Sequence, residues 1–232
     1  MGLLTAAGWA GERLGYTFRD PALLDAALTH RSAGRANYER LEFLGDSVLN
    51  FAVAMLLFRE YPDADEGDLS RYRAALVSGA SLAAVATGLS LGEQLRLGSG
   101  ELKSGGFRRS SILADALEAL FGAVYLDGGI AAASTVIETL FAGRLDELPE
   151  ARELKDPKTR LQEQLQARGL RLPAYAVEEV TGEPHEHWFV ASCEVVALGL
   201  RARGEGSSRR RAEQEAAQRV LEQLAREVTA HD

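Results

Sequence analysis

Two hydrophobic periodicities divide the chain. Through residue 145, apolar positions recur at helical spacing, most clearly in Leu41-Glu-Phe-Leu-Gly-Asp-Ser-Val-Leu-Asn-Phe51 and in the run Ile112 to Leu126. Asp127-Gly-Gly129 then predicts a turn or helix stop. Arg144 to Asp156 is dense in charge, contains Pro149 and ends in Asp156-Pro157, which reads as a linker followed by a helix start. Beyond it the pattern predicts a helix over Lys158 to Arg168 and strands over Ala174 to Val180 and Trp188 to Val196. A weaker strand covers Leu198 to Arg203, and a last helix runs from Ser208 to Arg226. Gly182-Glu-Pro184 marks the first hairpin. The expected fold class is therefore α+β in two domains: an all-α domain over residues 1–145, a linker over 146–155 and a small α-β-β-β-α module over 156–226.

Charge and composition change this picture in three places. The longest uncharged stretch, Ala74 to Gly92, approaches the length of a membrane span, but its serines, glycines and threonine favour buried helix packing. Met1 to Ala10 has no basic segment followed by a compact apolar run, so no secretory leader and no membrane partner are expected. Cys193 is the only cysteine, which agrees with a reducing, cytoplasmic setting and reads as a small core residue. The net charge of −8 excludes a generic polycation. Its distribution is uneven, however: residues 1–154 carry 14 basic and 21 acidic side chains, whereas residues 155–226 carry 12 and 11, with Arg209, Arg210 and Arg211 adjacent. A local phosphate-binding patch is compatible with that division.

The candidate chemistry lies in two acidic groups. Glu39, Glu42 and Asp46 fall at i, i+3 and i+7, on one helix face. Asp115 and Glu118, again at i and i+3, are the only charges in an otherwise apolar run, and neither has a basic partner within one turn of its helix. Acidic residues on helices are ordinarily solvated, yet carboxylates on a buried helix need a partner or a metal. An all-oxygen donor set favours Mg2+ or Mn2+ over zinc. Glu42, Asp46, Asp115 and Glu118 carry four negative charges, which two divalent ions would neutralise, and two such ions suit phosphodiester hydrolysis. A metal-free ion-pair network is the alternative.

Glu39-Arg-Leu-Glu-Phe-Leu-Gly-Asp-Ser47 resembles the signature of the ribonuclease III family, and Ser111-Ile-Leu-Ala-Asp-Ala-Leu-Glu-Ala119 resembles its second acidic motif. Thr29-His-Arg-Ser32, Leu97-Gly-Ser-Gly-Glu101 and Asp156-Pro-Lys-Thr-Arg-Leu-Gln-Glu163 fall where that family has similar strings, so the resemblance covers nearly the whole chain. It implies a helical endonuclease domain followed by a double-stranded RNA-binding domain. The implied reaction is Mg2+-dependent cleavage of double-stranded RNA, with Mn2+ as a substitute and no organic cofactor, leaving 5′-phosphate and 3′-hydroxyl ends with a short 3′ overhang. The family's roles would be ribosomal RNA precursor processing and the maturation or decay of messenger and other structured RNAs. Glu42, Asp46, Asp115 and Glu118 match its metal ligands, Asp46 and Glu118 its catalytic core, and Glu39 a carboxylate that positions RNA. Phe43 matches an aromatic that enters a second subunit, which implies a homodimer. Ser110 departs from the acidic residue that relatives often carry at that place.

Other residues carry weaker expectations. His30, near a helix end, reads as hydrogen-bonded structure, and Lys103, Arg108 and Arg109 as a solvated basic loop with RNA contact as the sharper alternative. In the second module, Gly204-Glu-Gly-Ser-Ser-Arg-Arg-Arg-Ala-Glu213 opens the last helix with serines that can cap it and arginines that oppose its dipole. This segment resembles an RNA-contact region of double-stranded RNA-binding domains, which implies contacts from Ser208, Arg209 and Arg210. Gln162 and Glu163 match minor-groove positions, and His185 matches a hairpin-loop contact. One or both of Trp188 and Phe189 are expected to pack within the strand layer rather than stack on bases. Two rivals remain: a non-catalytic RNA-binding protein, which has no use for four clustered carboxylates, and a hydrolase of small phosphate esters, which has no use for an RNA-binding module.

Overall fold

Thr5, Asp20, Asp65 and Ser78 each precede a helix, and each side-chain oxygen accepts a backbone N–H from the first turn. The helices they start are α1 (Ala6–Arg13), α2 (Pro21–Ala27), α4 (Glu66–Leu76) and α5 (Gly79–Gly88). These pack around two longer helices, α3 (Glu39–Glu60) and α7 (Ser110–Leu145), with the short α6 (Ser99–Lys103) in the loop before α7. The chain, described here by a computed structural model over residues 5–183 and 186–229, divides into two compact units at Ala151/Arg152.

In the first unit α3 and α7 touch backbone to backbone. A Cβ on Gly45 would lie 1.8 Å from the Glu118 carbonyl oxygen, and one on Gly122 would lie 2.3 Å from that of Leu41. Only glycine permits this approach. Leu49, Val53 and Leu57 of α3 then bury against Leu117, Leu120, Phe121 and Val124 of α7, together with Leu82 and Ala86 of α5. Both α3 and α7 are long and apolar enough to cross a membrane by length and composition, and this mutual burial accounts for much of that apolarity. The uncharged stretch Ala74 to Gly92 contributes α5 to the same core, as its dilution with small residues predicted.

Asp127-Gly-Gly129 does interrupt α7: Gly129 has φ 78° and ψ −179°, and helix resumes after it to Leu145. Asp127 accepts hydrogen bonds from the Tyr16 hydroxyl (2.7 Å) and from the backbone N–H groups of Arg19 (2.9 Å) and Asp20 (2.8 Å). The interruption thus anchors the segment between α1 and α2. The charged segment expected as linker is not featureless either, since Ala151–Leu154 forms a helical turn, α8, and the Ala151 N–H donates to the Tyr72 hydroxyl at 3.1 Å.

The second unit has the expected order: α9 (Pro157–Ala167), β1 (Ala174–Thr181), β2 (Trp188–Val195), β3 (Leu200–Gly206) and α10 (Arg209–Thr229). The strands form an antiparallel sheet in the order β1-β2-β3, with a bulge in β1 between Val177 and Glu179. Ala191, Cys193 and Val195 are buried on β2, and Cys193 and Val195 enter a core that includes Leu161 and Leu165 of α9 and Ala216, Val220 and Leu224 of α10. Cys193 is buried and free, as expected.

The third strand lies later than Leu198 to Arg203. Val196–Leu198 form a 3-10 turn closed by Gly199 at φ 64°, and the strand runs on through Gly204 and Gly206. These glycines look like strand breakers in the sequence, but α10 rests on them: a Cβ on Gly204 would lie 2.2 Å from the Ala216 nitrogen. Of the two aromatic residues that open β2, Phe189 is half-buried, whereas Trp188 is exposed, its indole N–H donating to Glu205 at 3.3 Å.

Candidate metal centre and nucleic-acid interface

The glycine contact between α3 and α7 also determines which acidic side chains meet. Glu42 lies one turn before Gly45 on α3, and Asp115 and Glu118 lie two turns and one turn before Gly122 on α7. One carboxylate oxygen from each of Glu42, Asp115 and Glu118 lies within 4.8 Å of the others. Asp46 is exposed and falls outside this group of three. Its Oδ1 and its carbonyl oxygen each accept a hydrogen bond from the Asn50 side chain at 2.9 Å. Glu39 lies further out, 3.6 Å from the Arg31 guanidinium, while its backbone N–H donates to Asn37 at 3.1 Å.

The cluster is only partly compensated by nearby positive charge. Burial, followed by the charges of Asp46, Asp115 and Glu42, pushes the Glu118 carboxyl up to about 7. Burial, then Asp115, Glu39 and Asp46, raises Glu42 against the opposing pull of Arg31. Asp115 is raised by burial against the pull of His30 and Arg31. Hard oxygen donors that repel one another in a half-buried setting suit a small divalent cation, so the residues present fit Mg2+.

This electrostatic imbalance predicts a pH dependence. The folded-state pKa of Glu118 lies above its ordinary value of 4.5, so the folded form holds the proton more tightly than the unfolded form does. In the metal-free chain, stability therefore falls as pH rises from about 4.5 through about 7. A divalent cation bound there would have to expel that proton, so the rise in Tm on adding Mg2+ is expected to be larger at pH 8 than at pH 6. Thermal unfolding at both pH values, with and without Mg2+, measures it; equal rises would remove Glu118 from the site.

A cleft of about 240 Å³ opens beside the cluster, lined by His30, Arg31, Tyr38, Glu39, Glu42, Glu101, Arg109 and Asp115 among others. His30 is buried, its Nδ1 accepts the Ser32 backbone N–H at 3.2 Å and lies 2.7 Å from the Ser32 hydroxyl oxygen, so it is hydrogen-bonded structure. Arg109 reaches Glu101 at 3.0 Å and is therefore paired rather than freely solvated. Ser110 is exposed at the first position of α7. The periodicity gives no signal for Glu101 or Arg109 as neighbours of the acidic group, because the short α6 and the residue before α7 reach it from another part of the chain, whereas Tyr38, the N-cap of α3, lies one turn before Glu42. Asn50, by contrast, sits one helical turn after Asp46 and could have been read from spacing.

In the second unit, Gln162 and Glu163 are exposed on α9, and Lys155 Nζ holds both carboxylate oxygens of Glu163 at 3.0 and 2.9 Å. The Ser208 hydroxyl accepts the Arg211 N–H at 3.3 Å, so it caps α10. Arg209 donates to Glu213 at 2.8 Å, and Arg210 donates to Asp156 at 3.3 Å. His185 lies outside the described residues. On α3, Phe43 is 80% exposed, and Phe51, Met55 and Phe58 follow on the same side of the helix, each more than half exposed.

Comparison with known proteins covers both units. Residues 20–145 match the Ribonuclease-III-like family model, and residues 157–224 match the double-stranded RNA binding motif. The chain is 56% identical over 213 residues to Ribonuclease 3 of Alkalilimnicola ehrlichii, covering 92% of this chain and 93% of that one. It is 52% identical to Ribonuclease 3 of Vibrio cholerae, covering 92% and 95%. Among solved structures, the nuclease domain of ribonuclease III from Campylobacter jejuni, described for flexibility in its region of dimer formation, aligns with a TM-score of 0.58 at 42% identity. That alignment covers 60% of this chain and 97% of that one.

Proposed function

The chain belongs to the ribonuclease III family and is an endoribonuclease of double-stranded RNA; from that premise we propose which residues carry the reaction and with what metal. The observation that carries the reading is the convergence of Glu42, Asp115 and Glu118 within 4.8 Å. These three carboxylates bind Mg2+, with Mn2+ as a substitute, and Asp46 completes the set from the same face of α3. Mg2+ held there supplies an activated water for attack on the phosphodiester and charge neutralisation at the leaving oxygen. Glu118 gives up its proton when the site fills, and Asp46, oriented by Asn50, fixes the outer edge of the site. Glu39 and Arg31 hold the mouth of the cleft where the RNA backbone enters. The products carry 5′-phosphate and 3′-hydroxyl ends with a short 3′ overhang.

The same reading assigns residues 1–145 to cleavage, 146–155 to a linker and 156–226 to duplex binding. Gln162, Glu163, His185, Ser208, Arg209 and Arg210 form the RNA-facing set. Such a module reads A-form shape and 2′-hydroxyls, so substrates are chosen by duplex geometry. Cytoplasmic ribosomal RNA precursors and structured messenger RNAs have that geometry.

The exposed Phe43, Phe51, Met55 and Phe58 on one side of α3 support a homodimer through that helix, because large apolar side chains exposed together favour a covering partner. Sedimentation equilibrium is expected to return twice the 25.0 kDa chain mass; a monomer at micromolar concentration would remove Phe43 from any subunit interface. The catalytic reading is tested by incubating the chain with long duplex RNA and Mg2+. Short duplexes are expected with Mg2+, and bound but intact RNA with EDTA. Binding without cleavage in both Mg2+ and Mn2+ would leave only an RNA-binding protein.

A further inference from the structure

Three arginines in the first turn of α10 face a helix dipole that disfavours them, and the structure supplies two carboxylates against them. Glu213, 8% exposed in its side chain, receives Arg209 Nε at 2.8 Å and is also paired with Lys158. Asp156, the N-cap of α9, receives Lys158 N–H on Oδ1 at 2.9 Å. Its Oδ2 receives Gln214 Nε2 at 2.6 Å and Arg210 Nη2 at 3.3 Å. Among the described residues, only the Arg211 guanidinium in this turn has no carboxylate partner. The two carboxylates therefore halve the net charge of the surface formed by Lys158, Arg209, Arg210 and Arg211.

We propose that Asp156 is a built-in competitor of RNA phosphate for Arg210, setting the affinity of the second unit below what its arginines alone would give. This rests on the reading that Arg210 contacts phosphate. A phosphate oxygen approaching Arg210 must share the guanidinium with Asp156 Oδ2 or displace it, and in either case it meets a like charge already in place. Gln214 holds that same oxygen, so the carboxylate stays when the arginine swings away. Arg210 is 79% exposed and its bond to Asp156 is long, which makes the exchange easy. Weak, reversible pairing of this kind lowers affinity without blocking binding, and it favours release of the short duplexes that the reaction makes.

The test uses the full chain in EDTA, where RNA stays intact, with a duplex of about 20 base pairs, longer than the roughly 16 that such a module spans. Asp156→Asn and Asp156→Ser both keep an oxygen to cap α9, so thermal unfolding should be little changed. Each is expected to bind the duplex about threefold more tightly at low salt, with the gain shrinking as salt rises. Arg210→Ala is expected to weaken binding, and Asp156→Asn in the Arg210→Ala background should give no gain. Unchanged or weaker binding by both Asp156 variants, while Arg210→Ala still weakens it, would overturn competition and leave the phosphate reading intact. Wild-type affinity in Arg210→Ala would overturn both. A full gain from Asp156→Asn without Arg210 would overturn the pairing as its cause.

Discussion

Glu118→Ala is expected to lower cleavage of duplex RNA by at least about a thousandfold while leaving duplex binding within about twofold. The two readouts separate because the substitution lies in the first unit, whereas duplex binding is assigned to α9, α10 and the β1–β2 hairpin of the second. At Glu118 burial is the largest influence, and three neighbouring carboxylates add to it. The residue lies on α7 facing Glu42 across the glycine contact, and burial together with Asp46, Asp115 and Glu42 pushes its carboxyl up to about 7. Removing it takes one carboxylate from the proposed set and leaves Glu42, Asp115 and the exposed Asp46 to hold a cation that prefers six oxygens, some of them water. The same substitution should raise the Tm of the metal-free chain at pH 8, since it deletes a desolvated charge that repels its neighbours. Glu118→Gln should act in the same two directions without leaving a void. Full cleavage by Glu118→Gln would sink the metal assignment. A fall in metal-free Tm for both variants would instead mean that the carboxylate stabilises the fold, as an ion-pair network would require.

The second large effect is on stability. Gly45→Ala is expected to destabilise the first unit by about 3–5 kcal/mol, read from urea unfolding, and to remove cleavage with it. The added methyl group would lie 1.8 Å from the Glu118 carbonyl oxygen and 2.6 Å from its carbon, both backbone atoms of α7. Neither can rotate away, so the helices must part. Parting them separates Glu42 from Asp115 and Glu118 and exposes the Leu49–Leu120 region of the core. Gly122→Ala meets the Leu41 carbonyl oxygen at 2.3 Å and should behave alike. Gly143, on the same helix as Gly122, is the matched control, because a Cβ there would meet no atom within 4 Å. Gly143→Ala should be neutral or slightly stabilising. Equal unfolding midpoints for Gly45→Ala and Gly143→Ala would refute the close packing.

How much of this was legible in the sequence differs between elements for physical reasons. Helical and strand periodicity located the first part of α7 up to Asp127, together with α9, β1, β2 and α10, within a few residues, because burial on one face writes itself into spacing. The break at Asp127-Gly-Gly129 was legible for the same reason, though that Asp127 ties down the α1–α2 segment was not. Strand β3 was displaced because Gly204 and Gly206 carry no side chain to show a pattern, and their purpose is the approach of α10 from elsewhere in the chain.

The acidic site divides along the same line. Sequence by itself determined the types and local spacing of the carboxylates, Glu39, Glu42 and Asp46 on one helix and Asp115 and Glu118 on another, since a helix fixes which residues share a face. It also determined a basic first turn in α10. Only the tertiary structure decided that Glu42, Asp115 and Glu118 converge while Asp46 lies at their edge, hydrogen-bonded by Asn50. It alone decided that Arg109 pairs with Glu101 and that Arg209 and Arg210 already have carboxylate partners. Those contacts join residues from separate elements, and the distance between two helices is set by what lies where they cross. Here that is a pair of glycines, whose missing side chains leave no mark in any hydrophobic pattern.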